Sequence, residues 1–240
     1  MKVLIKKLVI WFLKLFNLKL SFYDRSRPRY VKAVESLGIN LVFDIGANKG
    51  QFATSLLEHN YSGKIVSFEP TNSAHTKLLK NAKSYTNWTI HERTAVGEKC
   101  SETVINIAGN DAASSSILSM KDTHEECAPE ANYIGSENVK LITVDNIFDD
   151  YFNANDKCLL KIDVQGYEDQ VLMGMIFSLS KVYAVKLECS LVSLYEGDKT
   201  FEHYFNFFKE NGFELYDLET GFSNPITGQL LQFDAFFVRT

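Results

Sequence analysis

The chain has 240 residues, 45% of them hydrophobic, and a formal net charge of -5. That is enough apolar material for one large domain with a full core, and the mildly acidic balance excludes a global basic field that would gather nucleic acid. The four cysteines, Cys100, Cys127, Cys158 and Cys189, show no C-x-x-C spacing, so neither a disulfide framework nor a zinc site is expected, and a reducing cytoplasm is the natural compartment.

Residues 1–20 stand apart. They carry Lys2, Lys6, Lys7, Lys14 and Lys19 and no acid, interleaved with Leu4, Ile5, Leu8, Val9, Trp11, Phe12, Leu15 and Phe16. The uncharged run 8–13 is too short for a secretory core or a membrane span. Two readings stay open: an interfacial helix on anionic lipid, giving peripheral contact with the inner face of a membrane, or a helix docked on the domain or on a partner. Residues 1–38 are therefore taken as a basic amphipathic helix and connector, and 39–240 as the main domain. Residues 21–28 form a polar, Arg-rich connector, and 29–37 a short helix before Gly38.

The informative stretch comes next: Val42-Phe43-Asp44-Ile45-Gly46-Ala47-Asn48-Lys49-Gly50-Gln51-Phe52. It reads as a strand over 40–45, a tight turn, and a helix running to about residue 59. Strand, glycine turn and helix open a nucleotide-binding α/β domain. Gly46 and Gly50 let backbone come close to a ligand, and the helix start offers unpaired N–H groups. A dinucleotide fingerprint places a glycine where this chain has Asn48, so a pyrophosphate fits poorly. Asp44 suits a cation such as an ammonium. A ligand with an amino-acid end and a nucleoside end, S-adenosylmethionine, meets both demands. Strand 64–68 ends at Glu69, 19 residues after Gly50, the spacing at which a carboxylate reaches ribose hydroxyls.

Thr71 or Asn72 caps a predicted helix to about residue 83, with Leu78 and Leu79 facing inward. Residues 88–93 alternate as a third strand that Thr94-Ala95-Val96-Gly97 closes, and 101–107 form a further strand or hairpin arm. Residues 109–137 are the least regular part, a long loop of the kind that is more often functional than idle. A strand over 139–143 and a short helix over 144–151 follow. Then a buried strand from Cys158 runs out into Asp163, a turn, and a helix over 167–179, with Glu168 in its first turn. The next buried strand, 182–187, ends at Glu188. A helix over 200–211 closes at Gly212, and 213–218 with 230–238 make a final antiparallel pair. The whole is an α/β, mostly parallel, doubly wound sheet with an antiparallel edge strand. Asp44, Glu69, Asp163 and Glu188 all fall at predicted strand carboxyl ends, where such sheets bind ligands.

With these pieces in place, the chain resembles the FkbM-type methyltransferases among the Rossmann-like enzymes that use S-adenosylmethionine. The matching motifs are Phe43-Asp44-Ile45-Gly46-Ala47-Asn48-Lys49-Gly50, Ser67-Phe68-Glu69-Pro70, Ala95-Val96-Gly97 and Lys161-Ile162-Asp163-Val164-Gln165-Gly166-Tyr167-Glu168. The resemblance implies a seven-stranded class I methyltransferase sheet over 39–240 and methyl transfer to an oxygen of a sugar or other small hydroxylated molecule. It implies that Asp44, Gly46, Ala47, Asn48 and Gly50 hold the methionine end, that Glu69 holds the ribose, and that Ala95 approaches adenine through its backbone. Ser115 and Ser116 then line the cofactor or substrate side, and Asp163 faces the transferring methyl.

A sugar hydroxyl is a poor acid, so a base is needed beside it. Asp163 is the first candidate and Glu188 the second, while Glu168 is better read as a helix cap. The histidines, His203 included, have no ligand spacing to one another, and no metal site is expected. Two other readings are a nicotinamide-dependent sugar-modifying enzyme, which the absent G-x-G-x-x-G disfavours, and a non-catalytic binding module of the same fold.

Overall fold

Residues 41–45 are apolar apart from one acid, and a strand with that composition must be covered on both faces. In the computed structural model, which describes residues 27–240, this is what happens: β1 (Leu41–Ile45) is buried along its whole length, as is β7 (Cys158–Ile162). The basic stretch 1–20, with both readings of it, lies outside the described residues.

Side chains alternate along these strands, and the alternation builds two cores. Phe43 and Ile45 point into one with Leu160, Ile162, Val185, Phe148 and Phe208. Val42 points into the other with Ile65, Leu159, Ala184, Leu56 and Val34. The second core is covered by α1 (Arg29–Ser36), α2 (Gln51–Glu58) and α3 (Asn72–Ala82). The first is covered by α5 (Val144–Tyr151), α6 (Glu168–Met173) and α7 (Phe201–Glu210).

The main sheet has seven strands in the order β3-β2-β1-β7-β8-β10-β9, with β2 at Lys64–Phe68, β3 at Trp88–Ile90, β8 at Val182–Ser190, β9 at Phe213–Thr220 and β10 at Gln232–Arg239. Strands β3 to β8 pair in parallel. The antiparallel pairing expected at the edge is there, with the reversed strand β10 set between β8 and the outermost strand β9. Chain direction across the sheet changes between β1 and β7, the switch point at which doubly wound sheets open a crevice.

Several boundaries differ from the sequence expectation. Thr94–Val96 forms its own strand, β4, which joins β5 (Ser101–Ala108) and β6 (Tyr133–Ile142) in a separate three-stranded sheet. The loop expected over 109–137 contains α4 (Asp122–Cys127) and the first part of β6. Leu79 is exposed, and Leu78 alone turns inward. The helix predicted over 167–179 stops at Met173. A Cβ on Gly174 would lie 1.9 Å from the Gly97 carbonyl oxygen, and Asp145 draws the Phe177 and Ser178 N–H groups out of the helix, at 3.1 and 2.7 Å. Among the described residues no helix is long and apolar enough to cross a membrane.

Candidate active site

The turn after β1 is built from left-handed backbone. Gly46, Asn48 and Gly50 have φ of 74°, 49° and 88°, a region that glycine enters freely and asparagine tolerates better than most residues. This is why Asn48 stands where a dinucleotide turn has glycine. Its Oδ1 accepts from the Lys49 N–H at 2.8 Å, and its own N–H donates to Glu69 Oε2 at 2.8 Å. The three residues serve different purposes. Gly50 caps α2 from behind, and a Cβ there would strike Trp88 at 2.4 Å. Its requirement is packing, not ligand approach.

Glu69 follows β2 and is buried. Its second oxygen, Oε1, accepts from the Thr71 N–H at 2.8 Å and from the Thr71 hydroxyl. Burial raises its carboxyl above the ordinary range, and the bonds from Thr71 and Asn48 work against that rise. The carboxylate is thus fixed by the turn on one side and the start of α3 on the other.

Between Glu69 and Asp163 runs a crevice. Ile45, Phe68, Val96, Ile105 and Ile117 wall it, and Gly46, Asn48, Ala95, Ser115, Asp163 and Gln165 complete it. The three-stranded sheet and the segment after β5 therefore form its roof. Ser115 accepts from the Ala108 N–H at 3.0 Å, and Ser116 donates to the Gln165 carbonyl at 2.6 Å. Apolar walls with one carboxylate at each end suit a nucleoside joined to a cationic amino acid; a diphosphate would meet two negative ends.

Asp44 is fully buried beneath the turn and does not reach the crevice wall. This corrects the expectation of a direct contact with the amino-acid end. Ser67 donates to its Oδ2 at 3.1 Å, and Oδ1, which has no hydrogen bond, lies 3.3 Å from the Lys161 ammonium. Asp44 acts on the turn through Lys161, whose ammonium donates to the Gly46 carbonyl at 2.8 Å and pairs with Asp163 at 3.4 Å. Burial works against the Lys161 charge, and the carboxylates of Asp163 and Asp44 outweigh it, so its pKa rises.

Asp163 lies at the junction of this crevice with a second one, and both share Gly46, Asn48, Gln51 and Asp163. Ala47 and Glu188 face only the second. Gln165, in left-handed backbone with φ of 58°, links the two candidate acids. Its side-chain amide nitrogen donates to Asp163 Oδ1 at 2.8 Å and to Glu188 Oε2 at 2.6 Å, and its side-chain Oε1 accepts from the Tyr195 hydroxyl at 2.7 Å. Burial, followed by the charge of Asp163, pushes the Glu188 carboxyl well above its ordinary range.

Glu168 accepts from the Val164 and Gly166 N–H groups at 3.0 and 3.3 Å. It holds the turn before α6, and burial pushes its carboxyl up to about 8. His203 pairs with Asp169 at 2.7 Å and reaches neither crevice. Among the described residues no group of three or more His, Cys, Asp or Glu side chains gathers to hold a metal. Lys161 and Gln165 are the residues to which sequence reasoning gave no role. A lysine between Leu160 and Ile162 in a buried strand was a legible signal, because a buried ammonium must find partners.

A family profile described as "Methyltransferase FkbM domain" matches residues 44–215. No curated protein matches the chain. Among solved structures, TehB from Haemophilus influenzae superposes with a TM-score of 0.50 at 7% identity, over 91% of this chain and 64% of that one. TrmK from M. capricolum, in complex with S-adenosyl-homocysteine, gives 0.49 at 10% identity over 92% and 69%. A precorrin-6y C5,15-methyltransferase from Geobacter metallireducens gives 0.44 at 11% over 92% and 93%. At 7% identity the likeness to TehB is one of fold alone. The family match turns away the nicotinamide reading. This chain belongs to the FkbM methyltransferase family, and its cofactor is S-adenosylmethionine.

Proposed function

We propose that the chain is an O-methyltransferase acting on a hydroxyl of a sugar or other small polyhydroxylated molecule, with its donor laid between Glu69 and Asp163. One observation carries the reading: two carboxylates from different strand ends, Glu69 and Asp163, line a single apolar-walled crevice with the Gly46–Asn48 turn between them. Bound there, S-adenosylmethionine supplies a methyl group already activated on a sulfonium.

The work left to the chain is positioning and one proton. Glu69, held by two backbone N–H groups, accepts from ribose hydroxyls. Gly46, Asn48 and Ala95 present close backbone, and Ser115 supports the roof. Asp163 is the base that takes the acceptor hydroxyl's proton, and Gln165 holds one of its oxygens. Glu188 shares that amide, and burial together with the charge of Asp163 raises its carboxyl, so the two acids of the pair are not equivalent.

The test pairs calorimetry with S-adenosylhomocysteine and a labelled methyl-transfer assay on glycan or glycolipid extracts. Glu69→Ala is expected to weaken the cofactor product's binding roughly tenfold or more. Asp163→Ala is expected to keep that binding within a few-fold while transfer stops. Unchanged affinity in the first variant, or full transfer in the second, removes the reading. No transfer by the wild-type chain across such extracts favours a non-catalytic module. Liposome flotation of the full chain against one shortened to start at Phe22 tests residues 1–20 as a membrane contact. Equal flotation ends that idea.

A further inference from the structure

The second crevice extends away from the Gly46–Asn48 turn to a region that the family profile does not cover. Tyr30 on α1, Glu219 on β9 and Asp234 on β10 line it beside Phe52 and Lys186, and the first three lie outside the matched residues 44–215. Tyr30 and Phe52 stack with ring centroids 5.1 Å apart, and both side chains are half-buried. The Tyr30 hydroxyl is engaged by Ser55 at 2.7 Å, which fixes the ring. Lys186 is buried, pairs with Asp234 and lies over the Tyr30 ring at 5.6 Å. Glu219 has no hydrogen bond or ion pair among the described residues, and its side chain lines the opening. A smaller recess beside it shares Tyr30, Lys186, Glu219 and Asp234.

We infer that this far end is the acceptor site, and that it takes an uncharged polyhydroxylated ring whose apolar face lies on the Tyr30–Phe52 pair while Glu219 and Asp234 accept its hydroxyl protons. The inference rests on the methyl-transfer reading above. The crevice joins the donor crevice at Asp163, so a ring seated here brings a hydroxyl to the residue placed as the base. Aromatic faces suit the C–H side of a sugar ring, and paired carboxylates suit its hydroxyls. Four carboxyls, Asp163, Glu188, Glu219 and Asp234, line the crevice against two ammoniums, Lys161 and Lys186, and both ammoniums are already paired with carboxylates. A phosphate or carboxylate on the acceptor would be repelled, with no free cation among the described residues lining the crevice to receive it. Acceptor choice therefore sits in the flanks of this chain, outside the shared family core.

The experiment uses the full chain with saturating S-adenosylhomocysteine. Saturation-transfer NMR is recorded with an equimolar set of methyl glucoside, galactoside, mannoside and rhamnoside, together with methyl glucuronide, glucose 1-phosphate and glucosamine. Neutral pyranosides are expected to give the signals, with the glucuronide and phosphate silent. Glu219→Gln is expected to lower the neutral signals several-fold, and Tyr30→Ala to abolish them. Both variants should bind S-adenosylhomocysteine within twofold of wild type. Because the Glu219 side chain sits half-exposed at the outer strand and holds no partner among the described residues, Glu219→Gln stays informative if Tyr30→Ala fails to fold. Preference for an anionic or amino sugar, or neutral signals unmoved by Glu219→Gln, overturns the proposal. Loss of S-adenosylhomocysteine binding in Glu219→Gln also overturns it, by giving the crevice to the cofactor. Cofactor binding in the wild type with no pyranoside signal refutes the acceptor site alone, whereas failure of the wild type to bind S-adenosylhomocysteine refutes the underlying reading.

Discussion

A Cβ on Gly46 would stand 1.8 Å from the carbonyl oxygen of Asp163. The turn after β1 and the turn after β7 thus meet without room for one carbon, and this contact sets the Gly46 turn against Asp163. Gly46 also has φ of 74°, where any other residue is strained. Gly46→Ala is expected to cost about 3 kcal/mol or more of stability and to abolish S-adenosylhomocysteine binding. Thermal unfolding and calorimetry check both. A variant that binds normally would show that the two turns move apart at little cost.

Lys161 ties the same two turns together by charge. It is buried, donates to the Gly46 carbonyl, and lies between Asp44 and Asp163. Lys161→Met leaves two carboxylates without a counter-charge, one of them fully buried, and removing one partner of a buried ionic group typically costs about 3–5 kcal/mol. The double variant with Asp44→Asn is expected to recover part of that loss, because the fully buried carboxylate goes with its partner. Denaturant unfolding of the two singles and the double measures the coupling. Strict additivity would mean that Asp44 and Lys161 do not depend on each other.

The pieces that were legible in the sequence are local ones. Gly46, Asn48 and Gly50 announce a left-handed turn by residue type, and the alternation of buried strands with helices from residue 41 onward fixes the sheet. Glu69 and Asp163 were readable because each closes an apolar run. What was hidden depends on contacts between distant segments. Asp44 looks the same in sequence whether it faces ligand or lies under the turn, and only Lys161, 117 residues later, decides. Gln165 gives no signal of its own, since its role comes from Asp163, Glu188 and Tyr195 converging on one amide. The stop of α6 at Met173 is imposed from outside by Gly97 and Asp145. Gly174, directly after Met173, was the one local signal of it.

The roof of the donor crevice is strapped to its floor at Asp111. Asp111 and Ala112 adopt φ of 61° and 62°, turning the chain so that Ala112, Ala113 and Ser115 face the crevice. Lys49 and Lys77 pair with the Asp111 carboxylate, Lys49 at 3.2 Å, and the Asn48 amide donates to the Asp111 carbonyl at 3.3 Å. These lysines hold the Asp111 carboxyl below its ordinary range. The cluster is exposed, so its effect on global stability is small. Asp111→Ala is expected to leave the melting temperature within a degree or two and to speed release of S-adenosylhomocysteine several-fold, more at low than at high salt. Stopped-flow displacement at two ionic strengths checks this. A release rate independent of the substitution would mean that the segment after β5 does not restrain the ligand.

Glu168 gives the fold a pH dependence whose sign is fixed. Its carboxyl titrates near 8 in the folded chain and near 4.3 when unfolded. Between those values the folded state holds a proton that the unfolded state has lost, so stability falls as pH rises. The favourable contribution is complete below about pH 4.3 and is lost as pH passes through about 8. Glu168→Gln keeps an oxygen to accept from the Val164 and Gly166 N–H groups and cannot ionise. Near pH 5 it is expected to match wild type within about 1 kcal/mol. By pH 9 it is expected to be the more stable of the two by on the order of 2 kcal/mol, because wild type alone must then bury a charge. Urea unfolding at pH 5, 7 and 9 measures the divergence. A stability difference that stays flat over this range would mean that the carboxylate is accommodated ionised, through its two backbone donors.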